Sequence, residues 1–187
     1  MRMRLGALAL LMGLVAGGAA SVIAAPLDGE RQILLKTNDG DLLPVGSIQF
    51  DQAGDGVSYK VRWDDSQFTD QFLSMRPFKC LEGADKMWCR VPYPYENKRE
   101  ISDKDWVDLE YDLMFVWKNR NDYGIDMWNG VYYRLSPAAD GFSGAIYELD
   151  LDQLSAPPDD GNLRPIREAD LTEGEPESHW LPYLVIE

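Results

Sequence analysis

The chain has 187 residues, with 18 Lys and Arg against 32 Asp and Glu, a net charge of −14, one histidine and two cysteines. A surface this acidic repels phosphate backbones and anionic headgroups, which argues against nucleic acid and membrane-surface partners and favours a basic protein or a cation. One imidazole and two thiols are too few to build a His or Cys metal centre, and the length fits one domain.

The first residues form a leader in three parts: a basic start at Arg2 and Arg4, an apolar run over 5–15, and a mostly small-residue stretch over 16–25. Val22, Ile23 and Ala24 put compact residues third and first before a cut, so a signal peptide over 1–24 is expected, with the mature chain beginning at Ala25. The alternative is an uncleaved anchor, because the apolar stretch approaches the ~20 residues of a spanning helix. Its second half is Gly and Ala, which argues for cleavage. No cysteine follows the cut to carry a lipid, and no Arg-Arg pair marks twin-arginine export. Removal of 1–24 takes away two arginines, leaving 163 residues at a charge of −16 with no remaining segment for stable membrane insertion. A periplasmic or secreted location follows, and 25–187 is expected to form a single β-rich domain.

In chain order, 33–36 is a first strand closed by the turn formers Asn38, Asp39, Gly40 and Asp41. Residues 45–50 and 57–63 form a hairpin across the glycine-containing segment 51–56. In the second arm Val57, Tyr59, Val61 and Trp63 alternate with Ser58, Lys60 and Arg62, the signature of a half-buried strand. A fourth strand over 67–75 ends at Pro77. Cys80 and Cys89 flank a Glu-Gly-Ala-Asp turn and are expected to staple a short hairpin, contributing roughly 2–3 kcal/mol by closing the loop.

Residues 103–118 fit two templates. Ser102 with Asp103 and Asp105 resembles a helix start, and Trp106, Leu109, Leu113 and Val116 have helical spacing. Val107, Leu109, Tyr111, Leu113, Phe115 and Trp117 are also apolar at every second position, and this alternation predicts a strand over 107–117 after a helical turn at 102–106. Strands over 130–135 and 142–151 meet at a hairpin through 138–141. An irregular acidic excursion over 156–178 follows, and then a terminal strand over 180–186. The fold class is all-β, an antiparallel barrel or sandwich of about eight or nine short strands with a short helical turn; a helix at about 103–118 would make it α+β. Val57, Tyr59, Val61, Trp63, Val107, Leu109, Tyr111, Leu113, Phe115, Val131, Tyr133 and Leu135 are expected to face one shared core.

Three segments, 72–83, 87–97 and 127–135, resemble an uncharacterised group of exported proteobacterial proteins. The resemblance covers most of the mature chain and implies export, with no activity and no catalytic residue to carry over.

No complete catalytic motif is present. Gly141-Phe142-Ser143-Gly144-Ala145 comes near a nucleophile elbow, with acids and His179 downstream, but Ala145 stands where glycine is required and Ser143 opens a strand rather than a strand-to-helix turn. His179 reads as a structural or solvated histidine at a partly exposed junction. Residues 51–56 fail as a calcium loop because Ala53 and Arg62 occupy ligand positions. Abundant acids carry no information about a glycosidase pair without its separation. No cofactor or metal is expected. The remaining signal is aromatic: Trp88, Tyr93, Tyr95, Trp106, Tyr123 and Trp128 lie near turns and prolines, where rings beside Asn97, Asn121 or Asn129 can stack on a sugar or grip an extended peptide. Tyr93, Tyr95 and Trp128 are the candidate binding residues. The resulting expectation is a non-enzymatic binding or envelope-structure domain, with a basic protein or a glycan as partner. A periplasmic enzyme acting on a cell-wall or glycan substrate and an inhibitor of a basic protein are the alternatives.

Overall fold

The computed structural model describes residues 27–187 apart from Asp55. The leader therefore lies outside the described residues. The strands are β1 (Gly29–Lys36), β2 (Leu42–Ala53), β3 (Gly56–Trp63), β4 (Thr69–Phe72), β5 (Pro77–Glu82), β6 (Lys86–Arg90), β7 (Glu100–Ile101), β8 (Phe115–Asn119), β9 (Gly130–Ala138), β10 (Gly141–Leu149), β11 (Leu171–Glu173) and β12 (Tyr183–Ile186), with one α-helix, α1 (Val107–Asp112), between β7 and β8. All twelve strands belong to one antiparallel sheet in the order β4-β5-β6-β8-β9-β10-β12-β1-β2-β3-β7, with β11 attached to the far half of β10. The all-β reading holds, and the sheet folds over its own core without closing. It ends at β4 and β7, so the barrel closure is corrected to an open, sandwich-like sheet.

Period two explains why there are two cores. On β6, β8 and β9, Trp88, Phe115, Val131 and Tyr133 point into the main core together with Ile33, Ile48 and Phe50 from β1 and β2. Their alternates Met87, Cys89, Val116 and Tyr132 point the other way, into a second cluster completed by Leu149, Leu151 and Leu154. Of the residues expected to share one core, Val107 and Tyr111 belong to this second cluster, while Val57, Val61 and Trp63 are only partly buried against the first. Tyr59, Leu109, Leu113, Phe115, Val131, Tyr133 and Leu135 are buried in the first as expected.

The strand expected over 107–117 is half wrong. Val107–Asp112 is helical, strand begins at Phe115, and the helical turn expected over 102–106 is a tight turn closed by a Ser102–Asp105 bridge. The reason lies in what the helix does with its side chains. Leu109 and Leu113, four apart, enter the main core, whereas Val107 and Tyr111, also four apart, enter the second. The acids between them are not solvated. The Glu110 carboxylate accepts from the Leu135 amide at 2.7 Å and from the Tyr132 hydroxyl, and the Trp106 indole N–H donates to the Leu135 carbonyl at 2.9 Å. β8 pairs with β9 only at Val131 and Gly130, which leaves the rest of that β9 edge without a neighbouring strand. Trp106 and Glu110 supply the donor and acceptor that a strand would have given there, and the helix covers the edge.

The excursion over 156–178 is also less irregular than expected. Leu171–Glu173 forms β11 on β10, and Arg164 reaches Asp105 and Asp108.

Cys80 and Cys89 are directly opposed across β5 and β6, disulfide-bonded and fully buried. Replacing both by alanine is expected to cost about 2–3 kcal/mol through the lost loop closure. Denaturant unfolding of the wild type with and without reductant, beside the double variant, checks this. Coincidence of all three curves would mean the bond adds nothing to stability.

Candidate functional site

The disulfide marks the apex of a fork. β5 and β6 pair from Cys80–Cys89 to Glu82–Met87, but before Cys80 strand β5 pairs with β4 alone, from Pro77 to Lys79. The opposite arm runs through Arg90, Val91, Pro92, Tyr93 and Pro94. The Val91 amide bonds to the Met114 carbonyl on the β8 side, so the backbone groups of Arg90 point into the fork. The arms do not zip together because Pro77, Pro92 and Pro94 have no N–H to give a ladder. Between them lies a groove of about 620 Å³.

Its floor is Phe78, Val91, Tyr93, Met127, Leu151 and Leu154, all on the outward face of the sheet that carries the second core. Arg76, Lys79, Arg90, Asp152 and Ser155 also border it, but Lys79 and Arg90 alternate with Phe78 and Val91, so their side chains leave on the opposite face of the strands. Lys79 pairs with Asp70 at 3.0 Å and Arg90 with Asp65 at 3.3 Å, both carboxylates being more than half exposed, so these pairs are weak and exchangeable. Arg90 also lies 5.0 Å over both the Trp63 and Phe68 rings, and burial lowers its pKa. Among the described residues Arg76 has no carboxylate partner within salt-bridge distance.

Of the three aromatic candidates only Tyr93 lines this groove, and the other two lie next to residues that do. Tyr93 lines it, with its ring held 4.6 Å from Tyr111 and 5.7 Å from Tyr95, and its hydroxyl donates to the Leu163 carbonyl at 2.9 Å. Burial raises the Tyr93 pKa and pushes Tyr111 up to about 12. Tyr95 stands behind as a support, donating to the Leu154 carbonyl at 2.7 Å. Trp128 is 68% exposed at the rim beside Met127, in a turn fixed by the Asp126 carboxylate accepting its amide, and its indole N–H donates to Asp152 at 3.1 Å. The other rings do not take part: Trp88 is sealed in the main core and donates to Tyr133, and Trp106 is committed to β9.

Ser143 and His179 do not form a site. Ser143 is exposed in mid-sheet, opposite Ser136 and Val185. His179 is buried, correcting the partly exposed junction expected of it, because its ring fits edge-on between Trp88 and Trp117 at 6.1 and 6.0 Å. Its Nδ1 lies 2.9 Å from both the Ser178 hydroxyl and the Glu175 carbonyl, and Nε2 faces Glu148 at 3.2 Å. Asp55 of the 51–56 loop lies outside the described residues, and among those described no three His, Cys, Asp or Glu side chains are grouped to hold a metal ion.

The groove itself was not legible in the sequence, where only the proline spacing at 77, 92 and 94 signals a place where strands must part. No helix among the described residues is long and apolar enough to cross a membrane. No family model, curated protein or solved structure matches the chain.

Proposed function

We propose that the chain is an exported, periplasmic or secreted binding domain that holds its ligand in the groove below the disulfide, between Tyr93 and Trp128. One contrast carries this reading. The groove is lined mainly by apolar and aromatic side chains, while Glu110, a carboxyl whose pKa burial raises, is hydrogen-bonded beneath β9 and is not part of the groove wall. An enzyme of the acid–base type needs such a group in its cleft; a binding surface does not. Export rests on the three-part leader, on the resemblance to exported proteins and on a disulfide that suits an oxidising compartment.

A photo-crosslinking residue at position 128, compared with one at the exposed position 143, tests the site in the exported protein. Adducts are expected at 128 and not at 143. Equal labelling, or none at 128, removes the groove as the site. Mass spectrometry of the same preparation is expected to find Ala25 at the N-terminus, and an intact Met1 would make the leader an anchor. Once a ligand is in hand, Trp128→Ala should weaken it by about 0.5–1.5 kcal/mol for a lost stacking ring, and Ser143→Ala should leave affinity unchanged.

A further inference from the structure

We infer that the open edge of β3 receives an extended segment of a partner protein, added as one more strand, with apolar side chains on the face of Val61 and Trp63 and acidic ones on the face of Lys60 and Arg62. This surface stands apart from the groove and does not rest on the binding reading above. The first observation is in the backbone. β3 pairs with β2 along its whole length in an unbroken register, but on its other side β7 reaches only Val57 and Ser58, and the last bond there runs from the Tyr59 amide to the Arg99 carbonyl. Antiparallel alternation directs the N–H and C=O groups of Val61 and Trp63 to the same side as those of Tyr59, where no strand among the described residues meets them. The neighbouring chain leaves at Arg99, whose φ of 55° is the one positive value outside glycine among the described residues. That left-handed arginine costs energy and is held by its amide on the Asn97 side-chain oxygen and its Nε on Asp112. It turns the chain off a path that would have continued along β3. Across the gap, Pro92 has no N–H and Val91 gives its own to Met114, so this wall does not pair with β3 either. A cleft of about 280 Å³ separates the two.

The second observation is in the side chains, which decide what kind of strand fits. Natural edges are blunted by shortness, proline, a bulge or charge; β3 has eight residues, no proline and no register shift, which leaves charge alone. Lys60 and Arg62 are exposed and alternate with Tyr59, Val61 and Trp63, so they stand on the outward face of the strand. Lys60 has no carboxylate within salt-bridge distance among the described residues, and Arg62 reaches only the exposed Glu30, at 3.5 Å. Opposite charges across a strand pair attract and like charges repel. A second copy joined β3 to β3 would set these cations against each other. A strand that carries Asp or Glu on that face would neutralise them, while its alternate side chains lie beside Val61 and Trp63. Backbone pairing then supplies affinity and the alternation supplies selectivity.

Selection of a random displayed peptide library on the disulfide-bonded exported protein, followed by amide hydrogen exchange with and without an enriched peptide, tests this. Enriched peptides are expected to alternate Asp or Glu with apolar residues, to slow exchange at the Val61 and Trp63 amides, and to bind the Lys60→Glu, Arg62→Glu double variant roughly ten-fold more weakly. Val61→Pro removes an outward N–H and no bond to β2, and is expected to weaken binding by a similar factor, about ten-fold. Should that variant fail to fold, methylation of the peptide decides: N-methyl groups on the amides that face β3 should abolish binding, and on the alternate amides should leave it unchanged. Peptides that protect neither Val61 nor Trp63 overturn the inference, and if they protect residues around Tyr93 and Trp128 instead they belong to the groove. Basic or neutral peptides that protect both amides overturn the acidic chemistry. No enrichment overturns the added strand, and the photo-crosslink at 128 then decides the groove separately. A dimer in sedimentation equilibrium that Val61→Pro makes monomeric assigns the edge to a second copy and overturns the partner.

Discussion

Glu110→Ala is expected to bring the domain close to unfolding. Glu110 is 4% exposed, and its two oxygens are the acceptors for the Leu135 amide and the Tyr132 hydroxyl, neither of which has another partner among the described residues. Each buried donor left unsatisfied costs about 1–3 kcal/mol, so the pair costs roughly 2–6 kcal/mol against the 5–15 kcal/mol that holds a typical domain. Glu110→Gln should cost far less. Its carbonyl still accepts from Leu135, and its amide can donate to the Tyr132 oxygen.

The pH dependence separates the two roles of this carboxyl. Burial raises the Glu110 pKa, offset in part by the hydrogen bonds from Tyr132 and Leu135, so the folded state holds its proton more tightly than the unfolded chain does. Stability from this group is therefore full below the unfolded carboxyl value and declines as pH rises through the folded one. Glu110→Gln, fixed in the neutral form, should lose that decline. Chemical denaturation of both variants from acid to neutral pH measures the effect, and an alanine variant as stable as the glutamine one would show that the carboxyl does not cap the β9 edge.

The same helix shows where sequence reading stops. Strands β2, β3 and β10 were legible because each has one core face and one outward face over most of its length, β9 because its apolar run is bounded by turn residues, and their turns carry Gly or Asp where the backbone needs them. Residues 107–112 lie between two cores, so both a helix and a strand could bury the apolar positions. What decides is the unpaired edge of β9, twenty-five residues downstream at Leu135, which needs a donor and an acceptor at helical spacing from Trp106 and Glu110. No local pattern encodes that need. The aromatic part of the groove was legible from rings beside prolines, because Pro92 and Pro94 act locally. Its floor was not, since Met127, Leu151 and Leu154 reach Phe78 and Val91 only in the folded sheet.

Arg164→Ala is expected to release the excursion after β10 and to destabilise the domain by about 2–4 kcal/mol, the range for breaking a buried pair discounted for a partly exposed arginine. Asp108 is almost fully buried in α1, and Arg164 bonds it at 2.7 Å while also gripping both oxygens of Asp105 at 2.8–3.0 Å. Without the guanidinium, Asp108 is an uncompensated charge under the Asn97 loop, whose side-chain amide donates to the Asp108 carbonyl. Asp108→Asn in the Arg164→Ala background should recover most of the loss, because it removes the stranded charge. Asp105 gives a second readout. Burial alone would raise its pKa, but the hydrogen bonds and charge of Arg164 outweigh burial and hold it below the usual carboxylate range. Its stabilisation is present above the unfolded value and is lost as pH falls through the folded one, so Arg164→Ala should flatten the acid limb of the wild-type stability curve. Limited proteolysis is expected to cut the variant first between Ser155 and Ile166, where the backbone has little else to hold it beyond Tyr93 and Tyr111. Wild-type cleavage kinetics with an unchanged acid limb would place the arginine among surface ion pairs of little consequence.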